Sequence, residues 1–142
     1  MIDLSSTPII LLVILGSVGV ALPVVNIAFK EKGSVLSYGA ITLAAMFASI
    51  GYVLYQLALD HVAPAAIFSS DVLVDDAFGA LFAIAMIIVA IFTTVGSFSY
   101  MKNKANPSIY FSLILLSTIG MVLVAYSTDL VMLFIAWELM SL

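Results

Sequence analysis

The chain has 142 residues, of which 65% are hydrophobic and 8% are charged, whereas soluble domains carry about 25% charged residues. This composition excludes an ordinary soluble domain and predicts an integral membrane protein. Cysteine is absent, which excludes a disulfide framework, a thiolate metal site and iron–sulfur ligands within these residues. The net charge is −4 and only four residues are basic, so nothing recommends nucleic acid as a partner.

Four long uncharged runs follow one another along the chain, and a fifth apolar run begins near its end. About 20 apolar residues, each rising about 1.5 Å, cross a hydrocarbon core about 30 Å thick, so each long run is able to span a membrane. The predicted fold class is therefore all-α, a polytopic transmembrane helix bundle with four full spans and the start of a fifth. The spans are predicted at about residues 8–29, 36–59, 77–99, 107–127 and, incompletely, 130–142.

The first span is predicted to be a retained helix rather than a secretory signal, because Asp3 and not a basic region precedes it. Near its C-terminal end, Pro23 and Asn26 either mark a kink that lines a polar path or form a tolerated kink. We favour the second interpretation, in which neighbouring helices satisfy the backbone groups that the proline frees.

The lysines predict how the spans are oriented. Lys30 and Lys32 lie between spans one and two, and Lys102 and Lys104 lie between spans three and four. An even number of crossings separates the two loops, so they share one face, and the positive-inside rule makes that face cytoplasmic. The N-terminus is therefore predicted to be outside. The acidic residues predicted on that side are Asp3, Asp60, Asp71, Asp75, Asp76 and Asp129.

Three predicted helices begin with recognisable capping residues. Asn106 and Pro107 supply an N-cap and a proline at the first helical position of the fourth span. Asp75 or Asp76 is expected to cap the third span, and Asp129 is expected to cap the fifth.

Glu138 is the candidate functional residue, because it is the only acid placed well inside an apolar run. It follows Asp129 by nine residues, or about 13 Å of helix rise, which places it near the middle of a core about 30 Å thick. A carboxyl group at that depth costs about 3 kcal/mol on insertion scales, so we expect it to be buried against protein or a wet cavity and to carry protons. The alternative is a hydrogen-bonded glutamate that only holds helices together.

Motifs of a self-contained enzyme are missing. The sequence has no Gly-rich phosphate loop, no histidine pair at helical spacing and no Ser-His-Asp set that could converge in these loops. The single histidine, His61, is predicted to be a solvated loop residue without a role. Three classes of function remain: an ion-translocating subunit of a larger redox enzyme, a free-standing secondary transporter, and a structural membrane subunit.

The segment 111–142 resembles helices four and five of the antiporter-like subunits of respiratory complex I, and in particular the N-type subunit. The resemblance lies in an Asp-Leu pair, a Leu-Phe pair and the closing Glu-Leu-Met-Ser-Leu of residues 138–142. Residues 74–78, Val-Asp-Asp-Ala-Phe, are similar to the same family. The first two spans match it only in hydropathy.

This resemblance implies that residues 1–142 are the N-terminal part of one transmembrane antiporter-like domain, the opening third or so of a subunit with about fourteen helices in inverted repeats. The fifth span stops short of crossing, so we expect a fragment of a longer chain. Glu138 matches the family's proton-translocating carboxylate, whose lysine partner would lie two helices further along. Such a subunit is not catalytic alone but belongs to a redox-driven translocase.

The implied function is proton translocation in a complex I-like NADH (or related donor):quinone oxidoreductase. The implied partners are other membrane subunits, the lipid bilayer and protons. No cofactor is expected in this chain, and quinone, flavin and iron–sulfur clusters are expected in other subunits. The expected location is the inner (plasma) membrane of a prokaryotic cell.

Multisubunit cation/proton antiporters and membrane-bound hydrogenases use similar subunits and are the alternative, and a structural subunit without transport is the second alternative.

Overall fold

A computed structural model of the protein describes residues 7–29, 34–59, 73 and 76–141. Four of the helices in these residues are long and apolar enough to cross a membrane, and the fifth is a shorter apolar helix. The predicted all-α transmembrane helix bundle is confirmed. The helices are α1 (Thr7–Phe29), α2 (Val35–Ala58), α3 (Ala77–Met101), α4 (Pro107–Tyr126) and α5 (Leu130–Met140).

Two helix starts are fixed by side-chain caps. The Ser34 hydroxyl accepts a hydrogen bond from the backbone N–H of Leu36 at the start of α2, over 3.1 Å. At the start of α3, an oxygen of Asp76 accepts from the N–H of Gly79 over 2.8 Å. Each cap pairs a donor that a helix start leaves free. The expected cap of the third span is thus Asp76, since Asp75 lies outside the described residues.

For α4 and α5 the expected N-cap positions are confirmed, but the capping hydrogen bonds are absent. Asn106 and Asp129 occupy the N-cap positions, but neither side chain makes a cap hydrogen bond. For Asn106 the backbone gives the reason, because its ψ of 70° departs from the extended conformation that aims a capping side chain at the helix. Pro107 lies at the first turn of α4 as expected.

The bundle is organised around α4. This helix packs against α1, α2, α3 and α5, and 50% of its spanning segment is buried, compared with 28% for α1 and α2 and 33% for α3. Large apolar side chains on the outer faces of the other helices stay exposed, among them Ile27, Phe78 and Phe92. Such surfaces suit contact with lipid, where apolar exposure carries no penalty.

Close approach of α2 and α3 depends on Gly39. A Cβ atom at this position would overlap the ring of Phe98, so the ring occupies the space that the glycine leaves. Phe98 also packs on Phe111 of α4, with ring centroids 5.8 Å apart. Gly39 therefore allows the Phe98 ring of α3 to contact both α2 and α4.

Hydrogen bonds from neighbouring helices reach α1 around both Pro23 and Asn26. Pro23 lies inside α1, and the Ser112 hydroxyl of α4 donates to the carbonyl of Gly19, four residues before the proline. Asn26 accepts a hydrogen bond from the hydroxyl of Tyr38 on α2 over 2.8 Å. The favoured interpretation, a proline whose freed backbone group is satisfied by a neighbouring helix, is confirmed for the Gly19 carbonyl.

The described loop lysines follow α3. Lys102 and Lys104 are exposed, and the Lys104 ammonium lies 5.2 Å from the ring centroid of Tyr100, a cation–π distance. Lys30, Lys32 and His61 lie outside the described residues, as do most of the loop aspartates. The predicted orientation, with the N-terminus outside, stays a prediction.

Candidate functional site

Glu138 lies near the end of α5, and its side chain is exposed. Its expected burial stays a prediction, because among the described residues nothing covers this side of α5. The reason is the position of α5, which packs on α4 alone among the five helices. Ala136 is the one residue of α5 that α4 buries completely.

The contact between α4 and α5 is closest at Gly120, where the backbones of the two helices meet. Gly120 of α4 lies against α5 so closely that a Cβ atom there would come within 2.9 Å of the Ala136 carbonyl oxygen and 2.8 Å of the Met140 Cα. One turn earlier on α4, the Ser117 hydroxyl donates to the Met140 carbonyl over 2.8 Å. Small residues at such contacts let two membrane helices approach closely. Ser117 and Gly120 thus hold the second half of α5.

The face of α5 opposite this contact carries the carboxyl group. Ala136 and Met140 face α4, and Glu138 lies between them in sequence, about 200° around the helix from each at about 100° per residue. Its neighbours on the exposed side are apolar, with Phe134 66% exposed and Trp137 60% exposed. Glu138 is therefore the single carboxyl group on this side of α5, between apolar side chains and the exposed Ser141.

Neither described lysine reaches this carboxyl group. Gly120 lies level with Glu138 on the neighbouring helix, and it follows Pro107, the first residue of α4, by 13 residues, or about 20 Å of helix rise. Lys102 and Lys104 precede Pro107 at that far end. A charged group in hydrocarbon needs a polar partner or water, and the described lysines do not supply one.

Sequence reasoning found Glu138 but missed the residues that place it. Ser117 and Gly120 are three residues apart on α4, a spacing that puts them on one helix face. Small residues at this spacing within an apolar run are typical of a close contact between membrane helices, and this pattern could have identified the pair from the sequence. Among the residues that the structure describes, no three acidic or histidine side chains lie together as metal ligands would.

Known proteins similar to the chain include three N subunits of membrane oxidoreductases. An F(420)H(2) dehydrogenase subunit N from Methanosarcina mazei is 36% identical over 73 residues, which are 51% of this chain and 15% of that protein. An NADH-quinone oxidoreductase subunit N 1 from Solibacter usitatus is 31% identical over 137 residues, which are 95% of this chain and 26% of that protein. The chain belongs to the family of these N subunits.

A further member of the subunit N family, NADH-quinone oxidoreductase subunit N from Moorella thermoacetica, is 36% identical over 68 residues, which are 47% of this chain and 14% of that protein. The resemblance to the N-type subunit is thereby confirmed. The chain spans about a quarter or less of the length of these relatives. No family model matches the chain, and no solved structure matches it.

Proposed function

We propose that the chain is part of a proton-translocating membrane subunit of a quinone-reducing oxidoreductase of the complex I type. The observation that carries this proposal is the 31% identity to an NADH-quinone oxidoreductase subunit N over 95% of the chain. It supports the redox-driven subunit over the free-standing antiporter and the structural subunit. The F(420)H(2) dehydrogenase among the relatives shows that an N subunit can serve a donor other than NADH.

Within this subunit, Glu138 is proposed to be the carboxyl group that takes up and releases the proton. The support is that a carboxyl group within an apolar membrane helix is costly, so such groups almost always face a protein interior or a wet cavity and mark an ion path. The exposed face of α5 leaves room for a partner group from outside the described residues.

The remaining parts of the enzyme are proposed to lie in other polypeptides. Electron transfer requires quinone, flavin and iron–sulfur clusters, and these would be held by other subunits of the assembly. Other membrane subunits would be the direct partners of the full-length protein. Four spanning helices make the chain an integral membrane protein, and we place it in the inner (plasma) membrane of a prokaryotic cell.

The substitution Glu138→Gln in the full-length protein tests this proposal. It removes the ionisable group and keeps the size of the side chain, so the helix should insert and the complex should assemble. Protons pumped per electron transferred are measured in native membrane vesicles, with a fluorescent reporter of the pH gradient and a parallel assay of quinone reduction. We expect pumping per electron to fall at least about tenfold, because without this group the proton-transfer step slows about 100-fold or more while quinone reduction continues.

Asp129→Asn is the matched control, because Asp129 is an acid of the same helix that makes no cap hydrogen bond. It should leave pumping per electron unchanged. Unchanged pumping in Glu138→Gln would refute the role of Glu138. Sodium-dependent proton movement in vesicles without any electron donor would instead favour the antiporter.

A further inference from the structure

We infer that Gly120 is a positioning residue for Glu138, because its lack of a side chain fixes the rotation of α5 and hence the direction of the carboxyl group. The inference rests on the proposed role of Glu138 in proton translocation. It adds to that role a second residue, on another helix, that touches neither the proton nor the carboxyl group. Three observations carry it: the close backbone contact, the opposite placement of Glu138, and the absence of other helix contacts to α5 among the described residues.

The contact at Gly120 leaves no space for a side chain. A Cβ atom there would meet the backbone nitrogen of Met140, the Met140 Cα at 2.8 Å and the Ala136 carbonyl oxygen at 2.9 Å. All three atoms belong to the backbone of α5, so they cannot swing aside as the end of a flexible side chain can. A larger residue at position 120 therefore has to move α5 itself.

The same contact determines where Glu138 points. Ala136 and Met140 lie one helical turn apart on the face that meets Gly120, and Glu138 lies about 200° from each. The carboxyl group therefore leaves the helix in the direction opposite to Gly120. The hydrogen bond from the Ser117 hydroxyl to the Met140 carbonyl, over 2.8 Å, holds the same face from the preceding turn of α4.

Within the described residues α4 alone restrains the rotation of α5, and Met132 and Leu139 pack on the same side as Ala136. The side chains on the other side of α5 are exposed in this part of the chain, including Val131 at 65% and Phe134 at 66%. A shift of the α5 backbone at Gly120 therefore also moves Glu138. Proton transfer needs donor and acceptor atoms within about 2.6–3.2 Å, and a misplacement of about 1 Å can slow a reaction about 100-fold.

The test is Gly120→Ala in the full-length protein within its assembled complex. Its matched control is Gly96→Ala on α3, where a Cβ atom would meet nothing within 4 Å. The quantities measured are the amount of assembled complex, quinone reduction, and protons pumped per electron in native vesicles. A purely structural defect lowers the first two and leaves the ratio of protons to electrons unchanged. A positioning defect lowers that ratio, and we expect about a tenfold loss for Gly120→Ala and none for Gly96→Ala.

A second readout follows the carboxyl group directly. Modification of Glu138 by a hydrophobic carbodiimide, measured by mass spectrometry of its peptide, reports the surroundings of the side chain. We expect its rate to change severalfold in Gly120→Ala and to stay at the wild-type value in Gly96→Ala.

A second variant decides the question if Gly120→Ala fails to assemble. Ser117→Ala removes the hydroxyl that holds the Met140 carbonyl and adds no bulk. Its control is Ser17→Ala, since the exposed Ser17 hydroxyl bonds only to the Ile14 carbonyl of its own helix. We expect Ser117→Ala to lower the ratio of protons to electrons severalfold, and Ser17→Ala to leave it unchanged.

The outcomes separate this inference from the proposal on which it rests. Loss of pumping in Glu138→Gln, together with wild-type ratios and modification rates in Gly120→Ala and Ser117→Ala, overturns the positioning role and leaves the proposed function standing. Wild-type pumping in Glu138→Gln overturns both. Loss in Glu138→Gln, Gly120→Ala and Ser117→Ala, with both controls unaffected, supports both.

Discussion

The Ser112 hydroxyl of α4 donates a hydrogen bond to the Gly19 carbonyl of α1, across 93 residues of sequence. In a regular helix this carbonyl would accept from the N–H four residues later, and that residue is Pro23, which has no N–H. An unpaired backbone carbonyl is costly inside a membrane, where no water replaces the lost partner. Ser112 thus supplies from a neighbouring helix the donor that the proline removes.

Replacing Ser112 by alanine should destabilise the protein by about 1–3 kcal/mol, the cost of leaving a buried acceptor unpaired. Pro23→Ala should relieve most of this loss in the double variant, because it restores the N–H that pairs the Gly19 carbonyl within α1. Thermal unfolding of the purified full-length protein, followed by circular dichroism, measures each variant. Strict additivity of the two substitutions would contradict the coupling.

Asp76 and Asp129 both occupy the N-cap position of a helix and can be compared directly. Asp76 accepts from the Gly79 N–H over 2.8 Å, whereas Asp129 makes no cap hydrogen bond. Asp76→Ala should therefore cost about 0.5–2 kcal/mol, as loss of a capping side chain does, and Asp76→Asn should retain most of the stability. Asp129→Ala should cost much less in the same unfolding measurement. Equal losses at the two positions would show that the hydrogen bond to Gly79 adds nothing.

The hydrogen bond between Tyr38 and Asn26 joins α1 to α2. Double-mutant cycles in membrane proteins give about 0.6 kcal/mol on average for such bonds, and about 1.7 kcal/mol at most. A cycle of Tyr38→Phe and Asn26→Ala should yield a coupling within that range. Tyr55→Phe provides the control, since Tyr55 is 60% exposed. A coupling of zero in the unfolding cycle would mean that the bond does not hold the two helices together.

Composition and hydropathy were sufficient to predict a helical membrane bundle, because an apolar run long enough to cross the bilayer has few other stable structures. Pro23 and Asn26 could be singled out as the site of a tolerated kink, since the backbone group that a proline frees within an apolar run needs a partner. The partners themselves could not be predicted. Which residues face Gly19 and Asn26 depends on the register between the helices, and the register depends on how particular side chains pack. Ser112 and Tyr38 could therefore not be named as the partners.

The same distinction applies to Glu138. Its rarity and depth are properties of the sequence alone, and they identified it as the candidate site. Its exposure on α5 follows instead from the backbone contact at Gly120, which turns the carboxyl away from α4. The expected burial requires protein on the other side of α5 as well, and within the described residues only one face of that helix is covered.

Gly39 offers the clearest test of close packing between spanning helices. A Cβ atom there would overlap the Phe98 ring, whereas a Cβ atom on Gly51 of the same helix would meet nothing within 4 Å. Gly39→Ala should destabilise by about 1–3 kcal/mol, as overpacking does. Gly51→Ala should be neutral or stabilising by up to about 1 kcal/mol, because alanine favours a helix.

The cause of the Gly39 effect is checked by making room for the added methyl group. Phe98→Leu replaces the ring with a smaller side chain, so it should lessen the loss in the Gly39→Ala background although it costs stability on its own. The midpoints of thermal unfolding for the two single variants and the double variant provide this comparison. If Gly39→Ala and Gly51→Ala unfold at the same temperature, the ring does not limit the approach of α2 to α3.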